Sequence, residues 1–573
     1  MNTFLKTYRL ALTPLSPIHI GCGEDFKPTN YVIDADEKLG PVLYGFDPSR
    51  AVLTAVQQSE LASAVSSNSL LSIQRFFKKH AKTFQIQADV LIPVAAGVAK
   101  QYAEKVGKVA NHEGDGRAVF NQLALERAIS TGVLQQPYIP GSSFKGALRT
   151  GILDAINAER QPPNVDYKRN RDTDKGEARS TTNMERTLLG GDFESSPLRL
   201  LKTADLMPAN EVACRIQYAV NQKKREVRNR DGELVSANGP TARKECIQPG
   251  QFRIFRGDVA VPSLNPHLGL QDRKGKSLTP AQGIDILSVA RATHQYHFTR
   301  LHNELQVLQQ RGFVNPDWAH TLKHLMEGAL KAKFANGSAF LVRLGRYGGA
   351  DNKTLSGEGV PHIKIMGGKG QPPTYEGTTK TVWLAAEHDS DTKHLLPFGW
   401  AVVEIDPQEN DLPQLKAWCV AQSKGRPDIG QIRQQFEAEK QAALQQKVEQ
   451  AALAVRRLEA KKAEDMAAEQ RAQALATMSA QAQLIEALRQ QCEEWAAKMP
   501  PHGNFRHQEA NIAKAGLFQL AGKLVTQATG SADWSTADRQ ALADVLEQCL
   551  PKVVAPWGKD EKKKLKVATL RGQ

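Results

Sequence analysis

The residues best suited to chemistry sit in PYIPGSSFKGALRTGIL, residues 137–153. Tyr138 and Ile139 read as the end of a strand, Pro140 and Gly141 as a break, and 144–153 as an amphipathic helix capped by Ser142 or Ser143. Such a turn favours an anionic ligand, because the first helical N–H groups have no internal partner and the helix dipole places positive charge there. Gly141 and Gly146 admit another backbone, and Lys145 and Arg149 lie one turn apart on one helix face. The competing reading is an ordinary capped helix with two solvated cations. His19, in SPIHIGCG, is a candidate general acid or base if a partner positions it, and otherwise a packed or ligand-contacting residue.

Two further stretches combine cations with glycines. In LVRLGRYGGADNKTLSGEGVPHIKIMGGKG, residues 341–370, Arg343, Arg346, Lys353, Lys364 and Lys369 alternate with Gly345, Gly348 and Gly349, as a phosphate-following loop requires. In residues 221–245, Lys223, Lys224, Arg225, Arg228 and Arg230 cluster ahead of a turn at Asp231 and Gly232. A hairpin there lays its charges along a phosphate backbone, and a solvated loop is the alternative. Residues 159–186 are polar and of mixed charge, which suits a disordered or RNA-ordered loop. His320 and His324 stand four apart, but the HExxH glutamate is absent, so no metal or other cofactor is expected. No GxxxxGK[ST] sequence occurs, which speaks against nucleotide hydrolysis.

The elements that must position these residues follow from periodicity. Residues 7–20 alternate as a strand with Tyr8, Leu10 and Leu12 on one face, and GCGEDFKPTN then reads as a loop. Strands are expected at 42–46 and 86–93, helix through most of 48–82 with Phe76 and Phe77 buried, and a mobile polar segment at 97–121. Residues 282–330 turn helical, and 381–386 and 399–405 read as closing strands. Residues 430–498 form one long helix with a thin stripe of Val448, Val455, Leu458 and Met466. That stripe suits a coiled-coil-like contact with the chain itself or a neighbour better than a self-dimer. Residues 512–550 suggest a small helical domain, and the basic tail after it a disordered patch.

Length and composition set the frame. The 573 residues allow two to four domains, and the net charge of +14 with pI near 9.3 favours a polyanionic partner. Aromatics are 6% of the chain, so backbone tracking is expected over extensive base stacking. Six widely spaced cysteines form no CxxC pair and read as reduced thiols. No signal peptide and no long apolar run appear, so a soluble cytoplasmic protein with no membrane contact is expected.

SPIHIGCG, YVID and YIPGSSFKGALR together resemble the RAMP superfamily of CRISPR-associated RNA-binding proteins. The pattern is most similar to the type III-A (Csm) effector-complex subunit that caps the 3′ end of the guide RNA. SPLRLLKTADLMP (196–208), RKECIQPGQFRIF (243–255) and LVRLGRYGGADNKT (341–354) extend the resemblance over residues 1–405. It implies an α+β fold of ferredoxin-like, RRM-related modules. The expected division is a module at 1–215 with a helical insertion and a second at 216–405 with basic and glycine-rich loops. A linker and long helix at 406–500 and a helical domain with a basic tail at 501–573 complete it.

The resemblance also implies guide-RNA binding and support of its maturation in antiviral defence, without catalysis. The implied partners are the guide RNA, neighbouring RAMP backbone and small helical subunits, and host trimming nucleases. The expected RNA contacts are His19, Gly21, Gly23, Gly141, Ser142, Ser143, Lys145, Arg149, Lys223, Lys224, Arg225, Arg343, Gly345, Arg346, Gly348 and Gly349. Sister subunits cut target RNA with an aspartate after the first strand. Asp25 stands in the equivalent loop here without the surrounding pattern, and with His19 is the only catalytic candidate. The alternatives are a metal-independent endoribonuclease using His19 and a structural adaptor that recruits a trimming nuclease.

Overall fold

The computed structural model describes residues 5–67, 69–108, 110–112, 118–120, 123–132, 135–159, 185, 188–189, 196–228, 231–233, 241–262, 284–357, 363–367, 370–498, 516–554 and 557–572. Apart from residues 159 and 185, the polar insert 159–186 lies outside them, as do Arg230 and Lys369. The chain divides into two compact units, Met1–Ala443 and Leu444–Gln573. Helices and strands are mixed in the first, and helices make up the second.

The first unit is built on two six-stranded sheets. One has the order Met207–Pro208, Phe255–Pro262, Leu5–Pro14, Trp400–Ile405, Ala339–Arg343, with Lys202–Thr203 also on Phe255–Pro262, antiparallel throughout. Trp400–Ile405 reads WAVVEI without alternation and is buried at every position, the pattern of a strand covered on both faces. Its one charge, Glu404, receives Arg253 Nε and Nη2 at 2.8 Å each, both residues being buried. Helix Gly141–Glu159 buries Phe144 and Leu148, with Phe144 against Phe340 of the edge strand at 6.2 Å between ring centroids. It meets helix Ile286–Gln310 at Gly151, where an added Cβ would stand 2.6 Å from Thr293 Cα.

The second sheet has the order Leu396–Pro397, Thr381–Ala386, Cys214–Lys223, Ala242–Ile247, Leu125–Ala128, Gly21–Phe26. It is antiparallel except between Ala242–Ile247 and Leu125–Ala128, which run parallel with Lys244 opposite Glu126. A three-stranded sheet, Tyr31–Asp36, Gly40–Gly45 and Val90–Pro93, carries helices Ala55–Ser66, Leu70–Lys79 and Ala81–Ile86 around Phe46, Phe76, Phe77 and Phe84.

Several expectations are corrected. Residues 138–139 form no strand; Ile139 only bridges Leu206. Gly21–Phe26 is an edge strand rather than a loop, pairing with Leu125–Ala128 around a bulge. Pairing with a neighbouring strand overrides the poor strand propensity of its glycines. The segment after Gly97 holds helix Ala96–Lys105, because Val98 and Tyr102 recur at i, i+4 and are buried. The boundary expected at residue 215 falls inside strand Cys214–Lys223.

The long helix is two, Ile429–Ala476 and Ala480–Ala497, since Ser479 accepts from Ala482 N and starts a new helix. In the first unit its opening turns fold back on the small sheet through Ile432 and Phe436, with Lys440 on Asp89 at 3.0 Å. In the second unit Val448, Val455, Leu458 and Met466 are exposed. That unit packs helices Ala480–Ala497, Gly516–Gly530 and Thr536–Gln548 around Leu488, Ala521 and Leu542. Its basic tail is folded: Leu565, Val567 and Leu570 are buried, and Arg571 pairs with Asp544 and Glu547.

Glu404→Leu leaves Arg253 buried without its carboxylate, a loss of roughly 3–5 kcal/mol. The urea midpoint is expected to fall accordingly, and the double variant Arg253→Met/Glu404→Leu to recover most of it. Equal midpoints for the single variant and the native chain would show the pair to be dispensable.

Candidate nucleic-acid interface

The organising helix is braced by its own chain. Gly141 N donates to Asp205 Oδ1 at 2.7 Å, Thr203 Oγ1 donates to Gly141 O at 3.0 Å, and Lys145 Nζ donates to Leu201 O at 2.7 Å. Gly141 has no room for a side chain, since a Cβ would lie 2.7 Å from Thr203 O. SPLRLLKTADLMP and PGSSFKG are therefore one structural unit. Gly141 is the first helical residue, so Ser142 and Ser143 lie inside the first turn and do not cap it. The negative charge favoured at this helix end is supplied by Asp205. Arg149, on the next turn, pairs with Glu185.

The two glycine-rich stretches meet directly. His19 O accepts from Arg346 N at 2.9 Å, and Gly345, at φ +77°, lies so close to that carbonyl that no Cβ fits. His19 is fully buried, and its Nδ1 donates to Glu245 O at 2.7 Å. Its Nε2 has no hydrogen-bond partner and faces Glu126 Oε2 at 3.5 Å. Burial depresses its pKa, the Glu245 carbonyl opposes that, and Lys244 adds to it, so the ring is neutral near pH 7.

Glu126 is shared. It pairs with the buried Lys244, and with Arg346 Nη1 at 3.0 Å. Burial alone would raise the Glu126 carboxyl, but Lys244 and Arg346 outweigh it and hold it below the usual carboxylate range. Burial lowers the Lys244 ammonium, against the pull of Glu126. Lys244 also lies 5.4 Å from the Tyr347 ring centroid.

Above this cluster opens a cleft of about 890 Å³. Gly21, Gly23 and Asp25 line it from the edge strand, Ser143, Gly146 and Arg149 from the organising helix, and Arg343, Gly345 and Arg346 from the second glycine-rich loop. Glu126, Arg127, Glu185, Asn352 and Lys353 complete the parts that matter electrostatically. The cleft is not a bare cationic groove. Arg127 pairs with Glu24 at 3.3 Å, Arg149 with Glu185, Arg346 with Glu126, and Arg343 with Glu304 at 3.0 Å. Arg343 is buried, stacks on Trp400 and donates to Phe398 O, so it supports the wall more than it reaches for ligand. Lys353 is exposed, with no ion-pair partner among the described residues.

The remaining candidates lie elsewhere. Lys224 pairs with Asp351 at 2.7 Å and, with Gly348 and Gly349, lines a second cavity. Lys223 ends its strand opposite Thr381, and Arg225 is exposed. Sequence reasoning missed Glu126, Arg127, Glu185, Lys244 and Asn352. Lys244 and Asn352 sat in quoted motifs, RKECIQPGQFRIF and LVRLGRYGGADNKT, whereas Glu126 gains its role from strand register alone. His320 and His324 meet edge to face with ring centroids 4.5 Å apart, and no group of metal-ligating side chains occurs among the described residues.

The RAMP superfamily model matches residues 11–255. Residues 11–255 are a RAMP-superfamily segment. Within curated proteins the chain is 27% identical over 176 residues to the CRISPR system Cms protein Csm5 of Mycobacterium tuberculosis, in strains CDC 1551 and H37Rv. That alignment takes in 29% of this chain and spans 44% of the relative's length. Among solved structures, it is similar to a chain of the cryo-EM structure of a Csm-crRNA-target RNA ternary complex of a type III-A CRISPR-Cas system. The TM-score is 0.41 at 18% identity, covering 70% of this chain and all of that one. It is also similar to the crystal structure of T. onnurineus Csm5, with TM-score 0.38 at 15% identity, covering 69% and 99%. Glycine loops and cations from this RAMP segment and from residues 343–353 share one cleft.

His297, at the cleft wall, is buried with neither ring nitrogen hydrogen-bonded, and burial pushes its pKa down to about 3; burial takes His294 to about 4. Both are neutral in the native state, which binds fewer protons than the unfolded chain below the ordinary 6.5, so their contribution is complete above 6.5 and is lost as pH falls towards 4 and 3. His297→Leu is expected to gain in thermal midpoint relative to the native chain as pH is lowered from 7 to 5. A constant difference across that range would contradict the assignment.

Proposed function

We propose that this chain is the RNA-binding terminal backbone subunit of a type III CRISPR interference complex. In this reading it holds the 3′ part of the guide RNA and supports its maturation in antiviral defence, in the cytoplasm, and is not itself an enzyme. Its two sheets act as ferredoxin-like, RRM-related modules. Its partners are the guide RNA, neighbouring RAMP backbone and small helical subunits, and trimming nucleases.

The observation that carries the reading is the cleft, in which three glycine-bearing segments far apart in sequence present accessible backbone beside Arg149, Arg346 and Lys353. Exposed glycine backbone with cations suits sequence-tolerant phosphate contacts. The Csm5 relatives, described as CRISPR system proteins, support it. A phosphate entering here competes with Glu126 for Arg346 and with Glu185 for Arg149, while Lys353 is ready to receive it.

Lys353→Glu is expected to weaken single-stranded RNA binding across all sequences and to flatten the dependence of log K on log salt by about one phosphate contact. Unchanged affinity and slope would remove Lys353 from the interface.

One observation favours a second reading, a metal-independent endoribonuclease: the unpartnered Nε2 of His19 faces Glu126 beside Lys244. Burial of the ring weighs against it, since a general acid or base must reach the proton it moves. Cleavage of repeat RNA by the isolated chain in chelator, lost in His19→Ala, would favour the enzyme over the binding subunit.

A further inference from the structure

Asn352 lines two cavities: the main cleft and a smaller one of about 180 Å³ on the other side of the second glycine-rich loop. The smaller cavity falls below the size usual for a drug-sized ligand and has room for one ring system. Its apolar lining is aromatic and aliphatic. Tyr347 and Trp383 stand 5.1 Å apart between ring centroids, with Val307 and Leu308 alongside.

Two buried polar atoms of that lining have no hydrogen-bond partner. Asn352 Nδ2 donates to Gly348 O at 2.6 Å, which leaves Oδ1 as an unused acceptor, and Arg300 Nε is an unused donor. A flat aromatic ligand with donors and acceptors on its edge meets both requirements. A nucleobase is such a ligand.

The backbone supports a binding role. Tyr347 has φ +73°, a left-handed conformation that is unfavourable for a bulky residue, between Gly345 at +77° and Gly349 at +71°. That turn carries the tyrosine ring onto Trp383 and onto Phe398, 5.2 Å away. Charge argues for a base rather than a free nucleotide. The cations of the lining are Lys224, held by Asp351 at 2.7 Å, and Arg300, whose Nη2 donates to Thr354 O at 3.1 Å. Neither is ready for a phosphate, whereas the exposed Lys353, with no ion-pair partner among the described residues, lines the main cleft next door.

We propose that the smaller cavity takes a single unstacked nucleobase of an RNA strand lying in the main cleft. The base stacks on Trp383 and Tyr347, and Asn352 and Arg300 meet its edge. This deepens the RNA-binding reading above and rests on it.

The test uses the full chain and a short single-stranded RNA carrying 2-aminopurine at one position at a time. The native protein and Trp383→Phe are expected to quench the fluorophore strongly at one position. Trp383→Leu is expected to abolish that quench and raise Kd about 5- to 150-fold, the range for loss of one base–aromatic stack. Position-specific quenching is read in the native chain, so a Leu variant that fails to fold leaves the test standing.

RNA binding that is weakened by Lys353→Glu but shows no position-specific quench and no response to Trp383→Leu overturns the base site and leaves the interface intact. Absence of any RNA binding by the native chain overturns both. Adenosine monophosphate that binds as tightly as the RNA, in a Trp383-dependent way, overturns the assignment to a strand.

Discussion

Glu126 is held by partners from two distant parts of the chain, and the floor of the cleft depends on it. The parallel register between Leu125–Ala128 and Ala242–Ile247 sets Glu126 opposite Lys244. Burial works against both charges; Lys244 and Arg346 nevertheless hold the carboxyl below its usual range, while the ammonium is lowered in spite of Glu126. The same carboxylate reaches Arg346, whose backbone is bonded to His19, whose ring is bonded in turn to Glu245. Lys244 is buried and Glu126 half-buried, so removing Glu126 leaves an uncompensated ammonium in the interior. The effect of the pair is to hold the edge strand, the central strands of one sheet and the glycine-rich loop in one arrangement.

That arrangement gives the cleft its electrostatic character. The chain as a whole is strongly basic, yet most arginines around the cleft already face a carboxylate. An anionic ligand entering there would exchange one partner for another instead of meeting bare charge. Sequence-tolerant positioning of a backbone suits such a surface. The smaller cavity beyond Asn352 is lined instead by the Tyr347 and Trp383 rings.

Parts of the fold were legible in the sequence for clear reasons. The organising helix announces itself through Phe144 and Leu148 at helical spacing, and the closing strand through the apolar run at 400–403. Where a local signal competed with a distant partner, the partner won. Asp205 took the capping role expected of Ser142 or Ser143, and Leu125–Ala128 drew the glycines of residues 21–26 into a sheet. Some misses were readable: Ser479 is an ordinary N-cap inside what looked like one helix, and Leu565, Val567 and Leu570 mark the tail as packed.

By itself the sequence determined which residue types were available: glycines where backbones meet, cations beside them, and a RAMP-like order of motifs. Gly345 illustrates this, since only glycine suits its φ of +77° against the His19 carbonyl. Only the tertiary structure decided what each cation faces. Lys145, Arg149, Lys224 and Arg343 looked equivalent along the chain, yet their partners are a carbonyl at Leu201 and carboxylates at Glu185, Asp351 and Glu304. The physical reason is that a charge's availability is set by what lies within a few ångströms in space, and those neighbours are tens to hundreds of residues away in sequence.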